Sequence, residues 1–304
     1  MLPNFRNAAL VLVLLPVALS AHHDVSTTIL ALDEKIAAEA TADLHYQRAL
    51  EYRALRKRKE AQADLRKALA LQPRHRGSIT ALIQLLQGPE AMTLAQTYLA
   101  SATDPKHRLE AHYLIAQVAD RSDNEATALA ACEKIQKLHP EHPSEIDLLH
   151  ARLLLTNGKP ARAAAVLKSA HQKHKSIVLR NAWIDAALSA KQISQVLPII
   201  EAELTSTRFR ASWLIRRARA KLATNTPDKA RSDLHSALQE INTRILPARP
   251  DLTLIADRGL ALALLGSQDL AQRDLTTLKN STLSKSSYTM LEAELQNMDQ
   301  EGCD

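Results

Sequence analysis

From Ala42 onward, apolar side chains recur at three- and four-residue spacing, and polar, Gly or Pro residues interrupt the runs at intervals. That spacing lines one stripe of an α-helix with apolar groups. Ala42–Arg74, ADLHYQRALEYRALRKRKEAQADLRKALALQPR, shows it most clearly. It predicts two amphipathic helices joined by a turn. Numbered from Ala42, small residues stand at positions eight (Ala49), twenty (Ala61) and twenty-seven (Ala68), where they let two helices approach closely. Tyr52 at eleven and Leu65 at twenty-four fill the remaining gaps, and Pro73 at thirty-two closes the second helix.

The same skeleton returns along the chain. After Ala61, position twenty falls on Thr93, Ala128, Ala163, Val196, Ala230 and Ala271, at spacings of 32 to 35 residues with one of 41. Position eight reads Ala49, Ala81, Ala116, Ala151, Ile184, Ala218 and Gly259. Pro73, Pro105 and Pro140 recur at thirty-two, and Gly158 and Gly266 fall where an inter-helix turn needs a positive φ. The second copy is degenerate, with a short first helix and a turn at Gly88-Pro89. The fifth is weakened by Ile184 and by Pro198 in its second helix. An insertion, ILPARPD, separates the sixth and seventh copies. SKSSYTMLEAELQNM predicts one more helix, capped by Ser286 or Ser287 and polar on its outer side, as the end of a repeat stack requires.

In these positions the chain resembles the tetratricopeptide repeat family over residues 42–280, in seven units: 42–73, 74–105, 109–140, 144–176, 177–208, 211–242 and 252–280. The resemblance implies an all-α fold, a right-handed superhelical solenoid of about seven helix pairs closed by a C-terminal segment, 281–304. It also implies a concave groove lined by the first helices, which binds a protein or peptide. Carried over residue by residue, the groove takes Tyr46 and Arg53, then Tyr113, Gln117 and Asp120, then Glu145 and Arg152, Asn181 and Asp185, and Arg219. Mixed charge with a few tyrosines suits a polar peptide or protein surface. The Lys and Asn that grip a C-terminal carboxylate in some members are replaced by Tyr46 and Leu50, so that binding mode is not expected.

Composition agrees with a helical scaffold. Apolar residues make up 46% of 304 residues and aromatics 3%, with only 6 Gly, which disfavours a Gly-rich α/β enzyme. The spacing of His, Ser, Cys and Asp yields no phosphate loop, no HExxH and no paired CxxC, so no enzymatic activity and no cofactor are expected. Cys132 reads as a buried apolar residue and Cys303 as part of the tail.

The amino terminus reads as an export signal over residues 1–20: Arg6, an apolar run from Ala8 to Leu19, then Ser20 and Ala21. The expected location is therefore periplasmic or secreted, the alternative being a membrane tether through an uncleaved signal anchor. Residues 21–41 form a lead-in, with Ser26 or Thr27 as a helix cap before Ile29, Leu32 and Ile36. Cleavage after Ser20 would expose Ala21-His22-His23, a backbone-plus-imidazole chelate for Cu(II) or Ni(II). A metal-handling role through His22 and His23 is thus an alternative function, as is service as the repeat subunit of a separate enzyme.

The formal charge is +6, gathered partly in Arg53, Arg56, Lys57, Arg58, Lys59, Arg66 and Lys67, and partly in Arg208, Arg210, Arg216, Arg217, Arg219 and Lys221. Without interleaved aromatics these groups do not predict nucleic-acid binding. They suit a solvated surface, with weak contact to an anionic membrane surface or an acidic partner as the functional option.

Overall fold

The computed structural model describes residues 17–246, 248–281, 283 and 287–301, with residues 17–24, 26 and 299–301 described by backbone alone. Among the described residues there are sixteen α-helices and no strand. They fall into two compact units, Met1–Pro140 and Glu141–Asp304.

In the first unit a leading helix, α1 (Val17–Ala38), precedes three hairpins. These are α2 (Ala42–Ala54) with α3 (Arg58–Leu71), α4 (Arg76–Leu85) with α5 (Gly88–Ser101), and α6 (Pro105–Arg121) with α7 (Glu125–Leu138). In the second unit α8 (Ser144–Thr156) pairs with α9 (Pro160–His174), and α10 (Ile177–Ser189) with α11 (Ile193–Ser206). Next come α12 (Ala211–Ala223) with α13 (Pro227–Arg244), and α14 (Leu252–Leu264) with α15 (Gln268–Lys279). A final helix, α16 (Thr289–Glu301), follows.

The small-residue ruler explains the hairpins. Ala49, Ala61, Ala116, Ala128, Ala163, Ala218, Ala230 and Ala271 are fully buried where paired helices touch. Burying small side chains there brings the backbones close without cavities. In the second hairpin the ruler slips. Thr93 and Thr97 are exposed, and Ala91, Ala95 and Tyr98 are buried instead. The first helix is shorter and α5 begins at Gly88 itself, so the buried stripe arrives two residues early. Pro105 opens α6 as its first residue instead of closing α5, a position where the missing N–H costs nothing.

The turns share one conformation. Arg56, Asp123, Gly158, Lys191, Asn225 and Gly266 all have positive φ, each two residues before its second helix. Gly88 also has positive φ, but heads α5. Only two of the six common-turn sites are glycine, so the left-handed turn is imposed by the packed hairpin more than by local preference.

The leading helix starts further upstream than Ser26 or Thr27 would set it. Val17–Ala38 contains neither Gly nor Pro, so nothing stops the helix there and both residues lie inside it. It docks through Leu32, which is buried, and through Asp33, which accepts from Arg48 of α2 at 2.5 Å. At the other end α16 packs on α14 and α15, with Leu291 and Leu295 against Ile255 and Leu278. The approach is tight at Gly259: a Cβ there would lie 2.6 Å from Leu291 Cδ2 and 3.1 Å from Asp274 Cβ. A position that elsewhere tolerates Ala is thus restricted to Gly by the closing helix. Ser286 and Cys303, together with residues 1–16 of the expected signal, lie outside the described residues. Cys132 is buried on α7.

Candidate functional site

Within each unit the first helices of successive hairpins touch one another: α4 with α6, and α8 with α10, α10 with α12, α12 with α14. Each carries half-buried polar side chains at helical spacing beside its apolar stripe. On α6 the stripe is Tyr113, Gln117 and Asp120, next to buried Leu114, Ala116 and Ala119. On α8, Arg152 is half-buried and Glu145 exposed. On α10 it is Asn181 and Asp185, and on α12 Arg216 and Arg219.

In the second unit these stripes are stitched together. Asp185 receives Arg216 through Nε at 3.0 Å and Nη2 at 2.7 Å, and Arg219 through Nη1 at 2.9 Å. Arg219 also donates to Ser189 Oγ at 3.0 Å and lies 3.3 Å from Met290 Sδ of α16. One carboxylate thus holds two guanidinium groups, and the second of these spans α10, α12 and α16. Burial pulls the Arg219 guanidinium down and Asp185 only partly offsets that; at Arg216 the attraction of Asp185 outweighs burial. Asp257 of α14 faces this cluster, and burial pushes its carboxyl up to about 6 against the pull of Arg216. Asn181 Oδ1, on the same stripe as Asp185, is buried with no hydrogen-bond donor.

In the first unit the stitching runs through α4. Arg53 donates to Gln84 Oε1 at 3.3 Å. The carbonyl groups that end this short helix are satisfied from neighbours: Arg121 reaches Ile83 O at 3.1 Å, Gln62 reaches Leu85 O at 3.0 Å, and Arg58 also donates to Leu85 O through Nε at 2.9 Å. A ten-residue helix exposes a large share of its backbone ends, and these side chains supply the missing partners. Tyr46 does not stand free: its ring lies edge-on to His75 at 5.2 Å and against Gly77, where a Cβ would meet it at 2.9 Å.

Much of the basic charge is spent inside the fold. Arg66 pairs with Glu90 at 2.7 Å. In the other group Arg217 and Lys221 share Asp233 at 2.8 and 2.6 Å, and Arg216 and Arg219 share Asp185. Arg216 lies one residue away from the positions that the repeat pattern assigns to the stripe, so the pattern alone does not place it there. Its helical spacing from Arg219 was the available signal.

His142 Nε2, just ahead of α8, lies 3.7 Å from Asp147 Oδ1, and His174 Nε2, at the end of α9, lies 3.9 Å from Asp147 Oδ2. Among the described residues no His, Cys, Asp and Glu group is arranged to hold a metal ion. His22 and His23 fall outside the described side chains. No described helix is long and apolar enough to cross a membrane.

A model of the tetratricopeptide repeat matches residues 42–75, the best-formed hairpin. A tetratricopeptide repeat protein from Parabacteroides merdae has a similar structure at 14% identity, with a TM-score of 0.58 over 84% of this chain and 99% of that one. One chain of the APC/C hetero-tetramer Cut9–Hcn1 is similar at 13% identity and a TM-score of 0.49, over 94% of this chain and 55% of that one. PilW, a type IV pilus biogenesis factor, is similar at 14% identity and a TM-score of 0.39, over 82% of this chain and 98% of that one. No curated protein matches the sequence.

Proposed function

We propose that this chain, similar to tetratricopeptide-repeat proteins in its first hairpin and in its fold, is an exported, non-enzymatic scaffold that holds a protein or peptide along the polar stripes of its first helices. The observation that carries this reading is Asn181 Oδ1, a buried acceptor without a donor, beside Asp185 on the α10 stripe. Leaving such a group unpaired costs about 1–3 kcal/mol, which a peptide N–H would recover once the half-buried Asn181 side chain turns this oxygen outward. The Asp185–Arg216–Arg219 cluster beside it supports the same reading, since its long side chains are already ordered and binding need not order them. Tyr113, Gln117 and Asp120 offer a second polar stripe in the first unit. The amino-terminal pattern of residues 1–20 supports export.

The test is capture of partners by the full-length chain in its own cells, with Asn181→Ala and Tyr113→Ala compared against Arg231→Ala on the exposed side of α13. Loss of the same partner in the first two variants and its retention in the third is the expected result. Capture that is equal in all three would end the groove reading. For export, the intact mass of the chain recovered outside the cytoplasm should correspond to removal of about 20 residues, as the signal pattern requires.

A further inference from the structure

A cleft of about 410 Å³ opens in the first unit, away from the α6 stripe, where the ends of three helices meet. Leu99 comes from the last turn of α5, Arg108 and His112 from the first turns of α6, and Lys134, Lys137 and Leu138 from the last two turns of α7. Three permanent cations therefore face one cavity, and no acid lines it. The acids nearest along α6 are committed elsewhere. Asp104 accepts the backbone N–H groups of Lys106 and His107, and Glu110 accepts from Arg76 and from the Tyr98 hydroxyl, both at 2.7 Å. Among the described residues no ion pair involves Arg108, Lys134 or Lys137, unlike Arg66, Arg216, Arg217, Arg219 and Lys221. His112 is buried between them, and burial together with Lys134, His139 and Arg108 holds its imidazole below the usual value, hence neutral near pH 7. Two leucines complete the wall, and Leu138 keeps half its surface exposed, at 51%.

We propose that this cleft binds a small amphiphilic anion, a phosphate monoester carried on a short aliphatic chain. The Arg108 guanidinium offers a planar fork to phosphate oxygens, and the two lysines add point charges that a dianion satisfies. Leu99 and Leu138 give the aliphatic portion an apolar wall. The volume sits at the lower end of the range of about 300–1,000 Å³ in which small-ligand sites fall. The chain that carries the phosphate is either a free metabolite-sized ester or the end of a membrane lipid; the head-group chemistry is the same.

Titration calorimetry on the full chain, with hexyl phosphate, inorganic phosphate and hexanol as probes, tests it. Hexyl phosphate should bind, inorganic phosphate should bind more weakly, and hexanol should not bind. Lys134→Ala with Lys137→Ala should weaken hexyl phosphate about tenfold or more, while Lys59→Ala with Lys67→Ala, which removes the same charge elsewhere, should leave it unchanged. Lys134→Gln with Lys137→Gln, checked for unchanged helix content, keeps the polar surface and serves if the alanine pair unfolds. Flotation with phosphatidylcholine vesicles containing phosphatidic acid separates the sources. Binding to these vesicles that depends on Lys134 and Lys137, without binding of hexyl phosphate, assigns the phosphate to a lipid. The proposal is overturned if no probe and no vesicle binds, if both lysine pairs weaken binding equally, or if inorganic phosphate binds as well as hexyl phosphate.

Discussion

Asp64 accepts both arms of the Arg48 guanidinium, Nε on Oδ2 and Nη2 on Oδ1, each at 2.6 Å, across the turn of the first hairpin. The same pair recurs sixteen residues apart as Arg217 with Asp233 and as Arg258 with Asp274. In repeat numbering these are positions seven and twenty-three of the first, sixth and seventh hairpins. The others carry Thr80, Ile115, His150 and Trp183 at position seven. The hairpins near the two ends thus clamp their helices with a two-pronged ion pair where the middle ones use other packing.

The clamp should be worth measuring at Asp64. Burial would raise its carboxyl, but the hydrogen bonds from Arg48 and His45 outweigh that and hold it below the usual carboxylate range. Its side chain is 3% exposed and that of Arg48 14%, so Asp64→Ala leaves a largely buried cation with Asp33 as its remaining carboxylate. A loss of about 2–3 kcal/mol is expected. Because repeat arrays need not unfold in one step, the readout is amide hydrogen exchange in α2 and α3, which should accelerate while α6 and α7 remain protected. Acidification should act in the same direction. A depressed carboxylate contributes stability above its unfolded value near 4, and that contribution is lost as pH falls further, through the folded value.

The shared left-handed turn gives a stabilising substitution. Lys191 has φ 57° two residues before α11, and its side chain is exposed. Relief of the Cβ clash in Lys191→Gly, less the added chain entropy of glycine, should stabilise that hairpin by about 0.5–1 kcal/mol. Asn225→Gly, at the equivalent turn, should change little, because Asn already tolerates this conformation. Thermal melts of the two variants beside the parent check the contrast.

Asp257 should make stability depend on pH with the opposite sign to Asp64. Its folded value, about 6, lies above its ordinary one, so the neutral form suits the fold. The stability this provides is complete below pH about 4 and is lost as pH rises through about 6. Asp257→Asn should therefore stabilise the second unit at pH 7.5 by about 1–2 kcal/mol, allowing for its partial exposure. The advantage should shrink to nothing by pH 4. Melting temperatures of parent and variant over that range provide the measurement, and an advantage independent of pH would rule out titration as its cause.

The amino-acid sequence by itself determined the hairpins and their count. Small residues at positions eight and twenty, and turn-compatible residues between them, act through covalent geometry: helical periodicity and steric size are properties of short stretches. The same local rules located the stripes that carry Tyr113, Asn181 and Asp185. Only the tertiary structure decided which charges are spent. Arg217 and Asp233, or Arg216 and Asp185, meet because two helices cross at a given distance and angle, and nothing in residue spacing reveals whether a guanidinium ends in water or on a carboxylate. The two-residue slip of α5 has the same origin, since it follows from how a shortened α4 seats its neighbour. So does the contrast between the basic run around Arg53, partly consumed by the ends of α4, and Arg108, Lys134 and Lys137. Arg108 stands well before Lys134 and Lys137 in the chain, and all three are ordinary surface cations until the start of α6 and the end of α7 bring them around one cleft.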